Sequence, residues 1–500
     1  MNILFLHKAR SMPFNILGLV ILFISVQASY SWAPEKQTGE WSSPETIPGY
    51  EAETWPPILI ADQDRTIHAF TSQWVDIDGG RPIKAIFYSQ WSADYGWTEP
   101  IDILLASDGE ARVTDAYLDN DGIIHVVFWG GDGTHADIYY SEAPAADADN
   151  ALAWSTPMLI GENAGDPEAA VFAKDEQGTQ FVIYSSRKNE NGIYAVNSTD
   201  GGDTWSDPVS IFEATAEEPN ISQLHVTRSK SGWLHVIWDV YDIGGQGRGI
   251  YYSRSKDGMD WSESLLLESA PEGLGTQTPA IIEYKDILYV VYNLTPKIMM
   301  RRSLDNGITW DDPVTMFSRH VGVNGSLSLV IDSNNELHLF FGQRISGNPD
   351  IHGMWHSVFL NGRWTEPDAV VKGPRIVDNA GYSGFDPYEA HAVVSQGNVI
   401  LVTWRTDLLS LGNGVWYSYQ TLDAPQLPIT PLPGSETLGS DLTIGEGGLA
   451  TPTVSPEPIS TMIVSTDEAQ KSTWLGWVIL AAIAVVILAI VAIRTNFRKN

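Results

Sequence analysis

Ser198-Thr199-Asp200-Gly201-Gly202-Asp203-Thr204-Trp205 returns in outline as Ser303-Leu304-Asp305-Asn306-Gly307-Ile308-Thr309-Trp310. An aspartate followed by glycine in a short polar run is a hairpin turn: the carboxylate accepts backbone N–H bonds, and glycine tolerates the left-handed backbone. A tryptophan closes each turn. The same mark, a tryptophan followed by a polar or acidic residue and often a proline, stands at Trp41, Trp97, Trp154, Trp205, Trp261, Trp310 and Trp364. The gaps are 56, 57, 51, 56, 49 and 54 residues. A period near fifty means stacked copies of one supersecondary unit.

Between the marks the pattern is constant. An alternating apolar segment is followed by a Gly/Asp/Asn turn, then by a second segment such as Ile123-Ile124-His125-Val126-Val127-Phe128-Trp129. A variable loop leads to a third, such as Gly249-Ile250-Tyr251-Tyr252-Ser253. Short β-branched and aromatic runs split by turn residues are antiparallel strands, and no stretch sustains a 3.6-residue period. The expected fold is all-β, with four strands per repeat making one blade of a β-propeller. The first mark, Trp41, has no blade before it. The last block, Ala390–Val394, Val399–Arg405 and Val415–Thr421, has three strands and no fourth. Joining the two completes a seventh blade and leaves no open edge on the ring. Six blades fit if one block is an insertion, as the expanded turn Glu142–Ala153 in the second would allow.

Both full motifs match the Asp-box, S-x-D-x-G-x-T-W, so the chain resembles the sialidases and other BNR-repeat propellers over residues 38–421. Ser255-Lys256-Asp257-Gly258-Met259-Asp260-Trp261 is one residue short of the motif. The box is a structural staple, with Ser198, Asp200, Gly202, Trp205, Asp257, Trp261, Ser303, Asp305, Gly307 and Trp310 as its members. The indole is expected to wedge beside the next blade. The resemblance implies that each blade's first strand lines a central channel and that the boxes face away from the ligand-binding mouth. By this geometry Arg81, Arg112, Arg187, Arg248, Arg319, Arg344, Arg375 and Arg405 fall on the mouth side, where guanidiniums could grip a carboxylate. For any one of them a loop salt bridge is the competing reading.

In active sialidases three arginines hold the substrate carboxylate, a tyrosine paired with a glutamate is the nucleophile, and a loop aspartate is the acid/base catalyst. Where the family's R-I-P motif supplies the first arginine, this chain has Thr54-Trp55-Pro56-Pro57, and the later A-F-x-E-x-R matches Ala69–Trp74 with Trp74 for the arginine. The acid/base loop, Val75-Asp76-Ile77-Asp78-Gly79-Gly80, offers Asp76 or Asp78. At the nucleophile, Pro387-Tyr388-Glu389-Ala390-His391 puts Glu389 in register with Tyr388 beside it, and one step along a strand turns a side chain to the other face. Tyr382 is a looser candidate. A missing first arginine and a displaced tyrosine argue against the full mechanism.

His68, His125, His235 and His338 recur at one place in strand two, which packing between strands explains better than four metal sites do. Asp119-Asn120-Asp121-Gly122 and Asp332-Ser333-Asn334-Asn335-Glu336 resemble the start of calcium loops, yet each sits where a hairpin turn belongs and lacks the downstream bidentate glutamate. No cofactor is expected, calcium being the one left open.

The ends of the chain suggest a compartment. Residues 1–28 carry a basic start, the apolar run Phe14–Val26 and the small-x-small site Val26-Gln27-Ala28, as an export signal does. Trp474–Ile493 is twenty uncharged residues, about 30 Å as a helix, and Arg494, Arg498 and Lys499 follow it. Residues 474–493 are therefore expected to be a transmembrane helix and 494–500 a cytoplasmic tail. Residues 422–472, rich in Pro, Thr, Ser and Gly, are expected to be a disordered stalk. The expected product is a single-pass cell-membrane protein with an extracellular propeller. A formal net charge of -33 over 500 residues excludes a nucleic-acid partner, and the absence of cysteine excludes disulfides and thiolate chemistry.

Two functions are consistent with these residues. One is a glycan- or protein-binding module, with Trp55, Trp74, Trp129, Trp238 and Trp404 at its mouth alongside Arg112, Arg344, Arg375 and Arg405. The other is a glycoside hydrolase using Asp76 or Asp78 with Glu389. Turnover of an aryl glycoside separates them.

Overall fold

The computed structural model describes residues 39–433, apart from 52, 77–81, 107–108, 133–134, 166–168, 189, 323, 345–350, 373–386 and 407–413. The expected export signal, the stalk from 434 onward, the membrane span, the cytoplasmic tail, and Asp78, Arg81, Arg375 and Tyr382 lie outside the described residues. Among the described residues no helix is long and apolar enough to cross a membrane.

The described residues form seven antiparallel sheets, six of them built from consecutive strands in chain order. The first strands of the blades are Ile58–Ala61, Glu110–Leu118, Ala170–Lys174, Asn220–Arg228, Thr276–Tyr284, Leu327–Ile331 and Pro387–Ser395. Blade 7 is completed from the other end of the chain. Glu45–Thr46 pairs with Gly414–Thr421, Glu45 opposite Tyr417 and Thr46 opposite Trp416. Backbone bonds from Ser42 N–H to Tyr419 O at 2.8 Å and from Ile47 N–H to Val415 O at 3.0 Å extend the seam. Seven is therefore the blade number, and the six-blade alternative is excluded. The expanded turn of blade 2 is two short 3-10 turns, Ala145–Asp147 and Ala151–Ala153, within its own sheet's connection.

The core is a set of wedges between neighbouring blades. Each marker indole packs on the blade that precedes its own, which corrects the expectation that it faces the next one. Trp205 of blade 3 meets Tyr140 of blade 2 at 5.3 Å between ring centroids, and Trp310 of blade 5 meets Tyr252 of blade 4 at 5.1 Å. Trp97 of blade 1 does the same to Tyr417 of blade 7, and Trp154 of blade 2 to Phe70 of blade 1. The box itself is built as its sequence requires. Asp200 Oδ1 accepts from Thr204 N–H at 2.9 Å, and Ser198 Oγ accepts from Gly202 N–H at 2.9 Å; Asp305 and Ser303 repeat this with Thr309 and Gly307. Gly307, at φ +79°, has no room for a side chain, since a Cβ would fall 1.8 Å from the Tyr252 hydroxyl.

The recurring histidines are inter-strand pegs. His68, His125 and His235 bond through Nδ1 to Tyr88, Tyr140 and Tyr252 at 2.7, 2.6 and 2.6 Å, while His338 meets His356 at 2.9 Å. His68 and His125 also meet Asp62 and Asp119 in the preceding turn at 3.3 and 3.1 Å. Those aspartates organise the turn: Asp119 Oδ1 accepts from the N–H groups of Asp121 and Ile123, both at 2.9 Å.

Past Thr421 the chain lies along the face that carries these turns. Leu427 N–H donates to Gln396 O at 2.8 Å, Thr430 N–H to Gln63 O at 3.0 Å, and Asn334 Nδ2 to Asp423 O at 2.9 Å. Leu432 packs against the core shared by blades 1 and 2. Residues 422–433 thus strap blades 6, 7, 1 and 2 on the side opposite the first-strand entrances.

Candidate functional site

A cavity of about 570 Å³ opens at the mouth of the channel. Its walls come from the loop Glu51–Pro56 that enters blade 1, from Ser72, Trp74 and Lys84 of the same blade, and from Arg112, Thr114 and Trp129 of blade 2. The floor comes from first strands across the ring: Ser222, Gln223 and His225 of blade 4, Ser326 ahead of blade 6, and Glu389 and His391 of blade 7. A smaller chamber of about 200 Å³ lies between Leu59, Gln223, His225, Leu327, Ser328 and His391.

One backbone device recurs in three first strands, and two of its instances, Gln223 and Glu389, reach the cavity. Gln223, Thr278 and Glu389 have φ of +44°, +53° and +56°, and each stands at a register shift where its first strand meets its second. The bulge releases a residue from strict alternation and re-aims its side chain. A non-glycine residue at positive φ costs about 1–3 kcal/mol, and such residues collect where geometry serves a site. In blade 7 the bulge puts Glu389 into the cavity, its carboxylate taking the Ser326 hydroxyl as donor. Ser326 N–H is 3.4 Å from the same carboxylate oxygen, and Ser326 Oγ is 3.4 Å from Gln223 Oε1. Gly325 permits this approach, because a Cβ there would fall 2.6 Å from the Glu389 nitrogen.

Two residues beyond the bulges at Gln223 and Glu389 stand His225 and His391. His391 Nδ1 donates to Pro57 O at 2.8 Å. Burial, and then the nearby His391, lowers the His225 pKa to about 4, so His225 is neutral at physiological pH.

The structure separates the candidate residues into four groups. Trp55, Trp74, Arg112 and Glu389 line the cavity together. Tyr388, Arg344 and Arg405 form a cluster behind Trp55: the Tyr388 ring lies 4.1 Å from the Arg344 guanidinium and 5.4 Å from that of Arg405, which also caps Trp55 at 4.4 Å. Asp76 is exposed and does not line the cavity. Trp238 and Trp404, read as mouth platforms, are fully buried in the blade wedges, which corrects that reading. Trp55 and Trp74 are 55% and 39% exposed, and Trp129 is buried beneath Arg112.

Gln223, His225, Ser326, His391, Lys84, Glu51 and Glu53 were not singled out from sequence. The signal for two of them was present: aligned by blade, Gln223-Leu224-His225 and Glu389-Ala390-His391 occupy the same place.

For a metal, Asp332, Glu336 and His338 bring ligand atoms within 4.8 Å of one another. They belong to the turn-and-peg unit of blade 6. Asp332 Oδ1 already accepts from Glu336 N–H at 2.8 Å, and Oδ2 lies 3.5 Å from His338 Nε2. At Asp119 the same oxygens are taken by backbone N–H groups, His125 and Lys174, which accounts for the calcium-like pattern as a turn.

A family model described as a BNR repeat-like domain matches residues 23–290. No curated protein matches the chain. Among solved structures, a protein of unknown function from Dyadobacter fermentans is 15% identical, with 76% of this chain and 99% of that chain covered and a TM-score of 0.45. An ulvan lyase is 12% identical, with 75% and 95% covered and a TM-score of 0.49. A sialidase from Streptococcus pneumoniae is 12% identical, with 77% and 70% covered and a TM-score of 0.40.

Proposed function

The chain belongs to the BNR repeat-like domain family, and from that premise we propose that it is a carbohydrate-recognition propeller that binds a glycan at its mouth. The observation that carries this reading is the pairing of exposed Trp55 and Trp74 with a polar floor of Gln223, Ser326, Glu389 and His391 in one cavity. Indole faces suit the apolar C–H faces of a sugar ring, while a few convergent polar groups fix its hydroxyls. A glycan array probed with the full-length chain, and with Trp55→Ala and Trp74→Ala, tests it. Retention of defined glycans by the parent and its loss in both variants is expected; equal signal in all three sinks the reading.

The tyrosine-nucleophile mechanism has little support here. Tyr388 is held between two guanidiniums outside the cavity, and Arg112 is the only described arginine that lines it. A carboxylate-based hydrolase is the second reading, favoured by the strained placement of Glu389 in the cavity.

We further propose that the propeller is displayed outside the cell on a stalk, through a single span at residues 474–493. The support is the uncharged twenty-residue run and the basic residues that follow it. Protease shaving of intact cells should release the propeller.

A further inference from the structure

The charges around the cavity are arranged against an anionic occupant. Among the described residues Glu51, Glu53 and Glu389 line it, its two lining cations, Lys84 and Arg112, are already engaged, and a third, Arg405, is stacked 4.4 Å over the ring of Trp55. Arg112 directs Nε and Nη2 to one oxygen of Glu110 at 3.3 and 3.0 Å and lies 4.8 Å over the Trp129 ring. Lys84 Nζ lies 4.9 Å over Trp74 and 3.8 Å from the same Glu110 oxygen. Both cations therefore serve as backing for the indoles. A ligand carboxylate would have to take them from Glu110 and then sit among three like charges in a half-enclosed space, where Coulomb terms are larger than in open water.

The floor carries the complementary information. The Glu389 carboxylate already takes the Ser326 hydroxyl as donor, and His391, with Nδ1 spent on Pro57 O, has only Nε2 left. Gln223 Oε1 and the Ser326 hydroxyl add polar capacity between them. A floor with a carboxylate at its centre suits an occupant that brings hydroxyl donors and disfavours one that brings a second carboxylate.

Resting on the glycan reading above, we propose that this site takes an uncharged sugar end and discriminates against sialic and uronic acids. The sugar stacks on Trp55 and Trp74, and its hydroxyls donate to Glu389 and His391.

The test is isothermal titration of the full-length chain with neutral galacto-, manno- and gluco-oligosaccharides, and with sialyllactose and oligogalacturonate, at low and high salt. A neutral sugar should bind with an affinity that changes less than about twofold with salt, since no ion pair is screened. Each acidic sugar should bind at least about tenfold more weakly than its neutral counterpart, roughly the discrimination expected of one unfavourable charge pair in a partly buried site. Trp55→Ala and Trp74→Ala, at exposed positions that leave the fold intact, should weaken the neutral sugar about tenfold or more. The double variant Glu51→Gln, Glu53→Gln should narrow the gap between acidic and neutral sugars. Tighter binding of the acidic sugars, weakened by salt, overturns the charge argument while leaving glycan recognition in place. Failure of every sugar to bind removes the glycan reading itself, and this inference with it.

Discussion

His391 on the first strand of blade 7 donates from Nδ1 to the carbonyl of Pro57, 2.8 Å away at the opening of blade 1. One imidazole thereby closes the ring at its inner rim and lines the cavity. Other blade junctions use the same kind of clasp: Phe172 N–H to Asp115 at 2.8 Å, Thr278 N–H to Asp239 at 2.7 Å, and Ala392 N–H to Ser328 at 3.0 Å.

At the outer rim, closure depends on the N-terminal strand. Deleting residues 29–48 removes the partner of Tyr417 and Trp416 and exposes an unpaired edge on blade 7. The truncated protein should melt lower and scatter light on storage. Calorimetry with light scattering checks this; an unchanged melting temperature would show that the inner clasp alone holds the ring.

Trp205→Ala and Trp310→Ala should each cost about 3 kcal/mol, the lower end of the range for large aromatic deletions, because both indoles are half-buried. Chemical denaturation measures the loss. Glycan affinity at a permissive temperature should not move, since both residues lie in the Asp-box turns, outside the cavity.

The strap gives a sharper truncation test. A chain ending at residue 421 loses the bonds from Leu427, Thr430 and Asp423 to the turns of blades 7, 1 and 6, as well as the packing of Leu432. A chain ending at 433 keeps them. The first should be the less stable of the two by calorimetry, and equal melting would mean that residues 422–433 contribute nothing to the fold.

Much of this architecture was legible because it is locally encoded. Asp200, Gly202 and Trp205 write a turn that needs no distant partner to form, so its recurrence counted the blades and exposed the missing strand of the seventh. The direction in which each indole packs was not written locally, and it proved to be toward the preceding blade. The site was harder to read for a related reason. Glu389 reaches the cavity through a positive φ at a bulge, which breaks the period-two rule by which strand faces are assigned. Likewise Trp55 and Trp404 look alike in sequence, yet one is exposed at the mouth and the other is buried by packing between blades.

Stability should fall on mild acidification. Burial, with His391, lowers the His225 pKa to about 4; burial, with Arg254, lowers His235 to about 3; and burial, with His338, lowers His356 to about 3. All three lie below the ordinary histidine value of 6.5. Between those limits the unfolded chain binds more protons than the folded one, so these groups contribute fully above about pH 6.5 and progressively less as pH falls toward 4. Asp115 works in the opposite sense. Burial, resisted by the Phe172 and Ala116 N–H groups, raises it to about 7, so its contribution declines as pH rises from the ordinary carboxylate range. With His320 and His338, which burial also lowers, the histidines outweigh Asp115 and give a melting temperature that drops between about pH 7 and pH 5. A flat profile across that window would contradict the burial of the histidines.

The last prediction concerns turnover. Hydrolysis of a sialoside needs a positive clamp on the substrate carboxylate while a glycosyl cation develops, and a nucleophile aimed at the anomeric carbon. Trp55 stands where the first clamp arginine would be; Arg344 and Arg405 are stacked on Tyr388, and Arg112 is committed to Glu110. Each missing charge-assisted bond to a buried anion is worth about 1.5–3 kcal/mol, roughly ten- to a hundredfold in rate. Loss of more than one places sialidase activity below detection. Any trace that persists should be indifferent to Asp76→Asn and Tyr388→Phe, one residue being exposed and the other turned from the cavity. Glu389→Gln is the decisive variant. If a neutral aryl glycoside is cleaved and that substitution abolishes cleavage while sugar binding persists, Glu389 is catalytic and the hydrolase reading replaces the binding module. If binding persists and no glycoside is cleaved by either protein, the bulge at Glu389 serves recognition alone.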